Sequence, residues 1–382
     1  MATIVENLGK ELEELDREYA DGFAGQSRLT RDLGLLDGII ARGSSILERI
    51  DKIPSAARGP DLVRLRESAL QNLGLYAQER AAIQRAQEVG PVFESFSLEA
   101  TNANLVFARY TRHFAGKDRT TRDLGLLGEL VEDLKQIDKR MGSLVEESNV
   151  QDFDRDRKVV QDNLTQYQKE IELIDNAQKS GTPDQRASVL ATLANSQFSL
   201  YQTHFANEPR ISRRPALLMR IISSLKKIHE RMVGYRDGGL DLDFNTKNIG
   251  IVEDRLKTYE RELGEIRKVR QATPMPDIMG ELGGAANKLF DDYRSSFADK
   301  PRTQVDLEKL GNICDKLQEI RRQMSEMSWA EENEMNTRNL EIVTEQLVMF
   351  EGEYEAVVAA KAQAAKSSGN SGWGSGAKSP TT

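Results

Sequence analysis

An all-α fold is expected for this chain, built as four tandem three-helix repeats of about 91 residues forming an elongated or curved helical array. Three observations predict it. Two separate residue signatures return at one shared period. Apolar residues recur at steps of three and four, whereas strand-type alternation is hard to find. The composition, 38% hydrophobic and 30% charged with 10 prolines in 382 residues, suits a helical chain with a core.

The first signature joins Tyr, Phe, Ala and Arg. It reads Tyr19-Phe23-Ala24-Arg28, Tyr110-Phe114-Ala115-Arg119, Tyr201-Phe205-Ala206-Arg210 and Tyr293-Phe297-Ala298-Arg302. The second joins Leu, an aromatic and Glu, as Leu73-Tyr76-Glu79, Leu164-Tyr167-Glu170, Leu256-Tyr259-Glu262 and Leu347-Phe350-Glu353. Every step is 91 or 92 residues, so the chain is expected to divide into repeats at 1–90, 91–182, 183–274 and 275–366.

Each copy is expected to hold three helices. The first leads up to the repeated Phe, for example from about Val92 to His113, with Tyr and Phe four apart on one face. A short loop carries the Arg. The hydroxyl residues Thr30, Thr121 and Ser212 then stand where an N-cap would sit. In the fourth copy Thr303 is followed by Asp306, the spacing of a capping box. The second helix shows an apolar stripe, Leu124, Leu127, Leu130, Val131, Leu134, Ile137 and Met141 in the second copy. Pro215 begins the third copy's stripe, a place where proline is tolerated. The third helix carries the Leu-aromatic-Glu signature. Pro91, Pro183 and Pro274 are expected to stop the preceding helices and mark the boundaries between copies. The links between second and third helices differ most among copies, and partner specificity is expected there. Residues 367–382 are rich in Gly and Ser and read as a disordered tail.

Little in the sequence points to chemistry. Cys314, the one cysteine, falls in register with Ile40, Val131 and Ile222 and reads as a core residue. His113 and His204 occupy equivalent places in different copies and are expected to lie far apart, too far to share a metal. Asp152-Phe-Asp154-Arg-Asp156 and Asp241-Leu-Asp243-Phe-Asn245 open like calcium loops. They lack the required Gly and the bidentate Glu, so both read as helix starts. Gly280, Gly283 and Gly284 follow no strand and form no phosphate loop. No catalytic residue, metal or cofactor is assigned, and no small-molecule substrate is indicated.

The candidate binding residues are arginines of the repeated loop: Arg28, Arg119, Arg210 and Arg302, with Arg31, Arg122 and Arg213 three residues on and Val305 in the fourth copy. One expectation makes them a row of anion sites at helix N-termini. The favoured one makes them a structural latch onto Glu79, Glu170, Glu262 and Glu353. Trp373, alone in the tail, is a candidate anchor for a protein partner.

The function expected is that of a non-enzymatic scaffold mediating protein–protein interaction or self-assembly. The alternative is a module that holds a linear anion, RNA or an acidic lipid surface, on the arginine row. A net charge of −8 disfavours general nucleic-acid binding. The N-terminus has no secretory pattern and no apolar run spans a membrane, so a cytoplasmic location is expected. The spectrin repeat is similar in being three-helical, but its period is longer and its tryptophan has no counterpart here, so the similarity is architectural only.

Overall fold

The structure is a computed structural model, and it describes residues 2–23, 26–54, 58–148, 151–237, 243–297, 300–328 and 334–369. Among these residues the chain is all-helical, with no strand, and consecutive helices pack on one another. The helices are α1 (Ala2–Phe23), α2 (Leu33–Asp51), α3 (Pro60–Val89), α4 (Pro91–Phe114), α5 (Leu124–Ser148) and α6 (Gln151–Lys179). They continue as α7 (Pro183–His204), α8 (Pro215–Asp237), α9 (Asp243–Ala272), α10 (Met275–Phe297), α11 (Leu307–Ser328) and α12 (Glu334–Gly369). The last three described residues of the expected tail, 367–369, belong to α12. Trp373 lies outside the described residues.

The helix starts correct one expectation. The N-caps are not the hydroxyl residues but aspartates two residues further on. Asp32 Oδ1 accepts from the amides of Gly34 and Leu35 at 2.7 and 3.3 Å. Asp123 does the same for Gly125 and Leu126, and Asp306 for Glu308 and Lys309. Thr30, Thr121 and Ser212 instead donate to the carbonyls of Ser27, Asp118 and Pro209, at 3.0, 3.0 and 2.9 Å. They sit two residues too early and close the preceding loop. Thr303 likewise lies inside a 3-10 turn, and Asp306 is itself the cap. In the third copy Arg214 holds the capping position, and Pro215 after it has no amide proton to satisfy.

The prolines act differently from expected too. Pro91 and Pro183 open α4 and α7 rather than ending the helices before them. Gly90 caps α3 and Gly181 follows α6 by two residues, and their φ values of 90° and 93° favour a residue without Cβ.

The described chain divides into two compact units, residues 1–102 with 137–159, and residues 103–136 with 160–382. The boundary thus runs through α4, α5 and α6. In the first unit, Leu8, Phe23, Leu36, Ile39, Leu62 and Tyr76 are core residues shared by α1, α2 and α3. Phe96 and Phe153 stack at 3.8 Å and 6° in the same unit. Phe153 is buried in the first turn of α6, which is what the calcium-like Asp152-Phe-Asp154 segment forms. In the second unit one core joins α7, α8 and α9, and another joins α10, α11 and α12. Cys314 is fully buried in the latter, and burial pushes its thiol well up from its ordinary range.

The repeated aromatics form one contact four times. The Tyr of the first signature meets the aromatic of the second: Tyr19–Tyr76, Tyr110–Tyr167, Tyr201–Tyr259 and Tyr293–Phe350, with ring centroids 4.7, 4.1, 4.0 and 3.9 Å apart. The Phe four residues on is buried in every copy. A period shared by two signatures is thus a period of contacting residues.

The second unit also departs from a neighbour-only array. Arg322 of the fourth copy pairs with Asp133 of the second at 2.6 Å, and Arg112 of the second with Asp315 of the fourth at 2.7 Å. Stacked repeats that touch only the next copy would keep these residues apart.

Candidate functional site

The arginine row is held by the glutamates. Arg28 Nε and Nη2 donate to the two oxygens of Glu79 at 2.9 and 2.8 Å. Arg119 grips Glu170 at 2.9 and 3.1 Å, Arg210 grips Glu262 at 3.1 and 3.1 Å, and Arg302 grips Glu353 at 3.0 and 2.9 Å. Each is a two-bond fork, the strong geometry for a guanidinium on a carboxylate. The second arginines join the same acids: Arg31 Nη1 bonds Glu79, Arg122 Nη1 bonds Glu170 and Arg213 Nη1 bonds Glu262. Their Nε atoms donate to the carbonyls of Gln26, Lys117 and Glu208, five residues back, which locks the loop. In the fourth copy Val305 is buried in that place.

A third tie was not anticipated from the sequence. Gln87 and Gln178 donate to the carbonyls of Arg31 and Arg122 at 2.9 and 2.8 Å. Arg270, at the same register position, reaches the carbonyl of Arg213 at 3.1 Å. Each sits eight residues beyond the glutamate, so the register alone could have found it.

The residues that the sequence did not single out form the densest charged cluster, and all lie in the second unit. Glu129 on α5 is shared by four arginines. Arg220 on α8 and Arg322 on α11 bond its two oxygens, while Arg109 on α4 and Arg214 before α8 stand 3.8 Å from Oε1. Arg214 also donates to Glu319 at 3.2 Å and bonds Glu326, both on α11. So α5 meets α8, the residue that caps α8 meets α11, and α11 meets α5, each through an ion pair. Glu129 and Arg220 are 91 residues apart, the same register position in adjacent copies, where the others have Gly38 and Asn312. Asp123 and Arg214 likewise share a position. A charge that reverses sign at one register position is the sequence signal of this cluster.

Beside it, Arg112 bonds both Asp315 and Glu351, and His113 Nε2 lies 2.9 Å from Asp315. Burial opposes the charge on Asp315, yet Arg112 and His113 hold its carboxyl well below the usual range. His204 also feels Asp315. His113 is thus paired with an acid from another copy, because the second and fourth copies meet there. Among the described residues no group of His, Cys, Asp and Glu has the arrangement to hold a metal.

Electrostatics here is dominated by burial. Asp133 is pushed up to about 6, with Arg109, Arg214 and Arg321 opposing. Burial and the neighbouring charge of Arg109 bring Arg220 and Arg322 down to about 10, which leaves both cationic at neutral pH. Arg109, only 7% exposed, makes no guanidinium hydrogen bond among the described residues, and Arg220 Nε and Nη2 have no acceptor there. Each buried donor left so costs about 1–3 kcal/mol.

Burial pulls His204 down to about 4; Asp315 opposes, and Arg109, Lys316 and Arg220 reinforce the shift. His113 is lowered in the same way. Rings that resist protonation in the fold accept it once unfolded, so their stability is present in full above pH 6.5 and is lost as pH falls toward 4. Asp133 acts oppositely, because its raised carboxyl favours the fold as pH falls from about 6 toward 3.8. Asp315, whose carboxyl is lowered, sides with the two rings against the raised carboxyls of Asp133 and Glu351, and net acid sensitivity is expected. His204→Gln should flatten the fall in melting temperature between pH 7 and 5. The expected difference is about 1 kcal/mol at pH 5, after discounting for the partial exposure of the ring. An unchanged slope would show that His204 does not carry it.

The class of protein these features define is an all-helical one whose consecutive helices pack together, with no helix long and apolar enough to cross a membrane among the described residues. No protein-family model matches the chain, and neither a curated protein nor a solved structure does.

Proposed function

We propose that the chain is a cytoplasmic, non-enzymatic scaffold that mediates protein–protein interaction or self-assembly through a tandem helical-repeat surface. Its structural units are the four three-helix copies at 1–90, 91–182, 183–274 and 275–366, with Trp373 in the tail at 367–382 as a partner anchor. One observation carries the reading. The Tyr–aromatic and Arg–Glu contacts return in all four copies with nearly constant geometry. Residues kept for building the frame leave the outward faces to differ, and outward faces are where a scaffold takes partners. Val159 on α6 and Ile251 on α9, at the same register position, are 48% and 50% exposed and supply apolar area for such contacts.

The alternative, an RNA or acidic lipid held on the arginine row, needs Arg28, Arg119, Arg210 and Arg302 to release their glutamates first. The filled forks therefore favour the scaffold.

Sedimentation velocity over about a hundredfold range of concentration, with affinity capture by the full chain and by a chain lacking 367–382, tests the reading. Reversible association, or a partner bound stoichiometrically, is expected. A concentration-independent monomer that retains no partner overturns it. Equal retention by the shortened chain removes Trp373 as the anchor.

A further inference from the structure

Several guanidinium forks in this protein are filled by two carboxylate oxygens, although one buried Nε each of Arg112 and Arg186 has no acceptor among the described residues. The Nε–Nη2 edges of Arg28, Arg119, Arg210 and Arg302 each grip a glutamate, and that of Arg140 grips Glu99 at 2.7 and 2.9 Å. Arg220 breaks the pattern. Its Nη1 bonds Glu129, but the fork edge, Nε and Nη2, is buried and has no acceptor among the described residues. Arg109, whose side chain is 9% exposed, lies on the same Glu129 carboxylate and has Nε without an acceptor as well. Two cationic groups are thus brought to one place with unused donors.

The acids nearby are engaged elsewhere. Asp133 is on Arg322, Glu319 on Arg214, and Asp315 on Arg112 and His113. Asp123 caps α5 with one oxygen and accepts from Gln197 with the other. Glu129 is divided among four arginines. None supplies a second pair of oxygens to the Arg220 fork. We infer that Arg220 and Arg109 form a buried binding site for one small oxyanion that presents two coplanar oxygens, the chemistry shared by phosphate, sulfate and a carboxylate. Bound there, the ion satisfies the fork and offsets the like charges of Arg109 and Arg220, so it ties α4 to α8 from within. This site is separate from the repeated arginine row and holds whether or not the chain is a scaffold.

The full chain is purified in Tris chloride without oxyanions. Ions released on denaturation are measured by ion chromatography, and exhaustively dialysed native protein is titrated calorimetrically with sodium phosphate, sulfate and acetate at constant ionic strength. One equivalent released, or one saturable site, is expected, and the anion that binds names the source. Arg220→Met and Arg109→Met should each weaken binding at least tenfold. Arg220→Lys and Arg109→Lys keep the charge but lose the fork, and they serve if the methionine variants fail to fold by circular dichroism. Neither release nor saturable binding by the native protein overturns the inference and leaves water as the filler. Equal binding by the native protein and every folded variant also overturns it, as an adventitious ion only.

Discussion

Glu129→Gln is expected to destabilise the second unit by about 3–5 kcal/mol, the range for removing one partner of a buried ion pair. The amide keeps the shape of the side chain but removes the charge that faces Arg109, Arg214, Arg220 and Arg322. Four guanidinium groups then face one another with less compensation, and burial keeps water from screening them. Urea unfolding followed by circular dichroism checks this, with hydrogen exchange reporting on α5, α8 and α11 because the two units need not unfold together. Glu132→Gln, on the same helix but well exposed, should leave the midpoint unchanged. A midpoint for Glu129→Gln as high as that of Glu132→Gln would mean that the cluster does not join the three helices.

The second large effect is expected from Phe205→Ala. Phe205 is fully buried, ends α7, and stacks on Tyr201 at 5.3 Å, which in turn stacks on Tyr259. Removing the ring leaves a cavity at the corner where three helices meet, at a cost of about 3–5 kcal/mol. Phe205→Leu refills most of the volume and should cost about 1–1.5 kcal/mol. The pair of unfolding midpoints decides it. Equal losses for leucine and alanine would show that the ring geometry, not its volume, holds the corner.

These two sites differ in how far the sequence exposed them. Phe205 was legible because the same Phe returns in four copies at steps of 91 and 92, four residues after a Tyr. The match of Arg28 with Glu79 was legible for the same reason, since both belong to signatures with one period. The helix caps differ from expectation because Thr30, Thr121 and Ser212 have the right residue type two residues too early. The position of the accepting oxygen in space, not residue type, settled the role of Asp32, Asp123 and Asp306. Glu129 went unseen because a comparison of copies rewards positions that agree, and its position reads Gly38, Glu129, Arg220 and Asn312.

The sequence by itself determined the helical class, the three-and-four apolar stripes, and the residues that brace each corner. These follow from interactions within a helix turn or within one repeated length of chain, so periodicity reports them directly. Only the tertiary structure decided that Arg322 meets Asp133 and that Arg112 and His113 meet Asp315. Those contacts join the second copy to the fourth across about two hundred residues. Nothing local encodes such a meeting, because it depends on how whole helices pack and on which long side chains then find an opposite charge within reach. The arginines that the sequence put forward are occupied in bracing the loops, and buried donors without an acceptor among the described residues include those of Arg109 and Arg220, which the packing of distant copies gathered at Glu129.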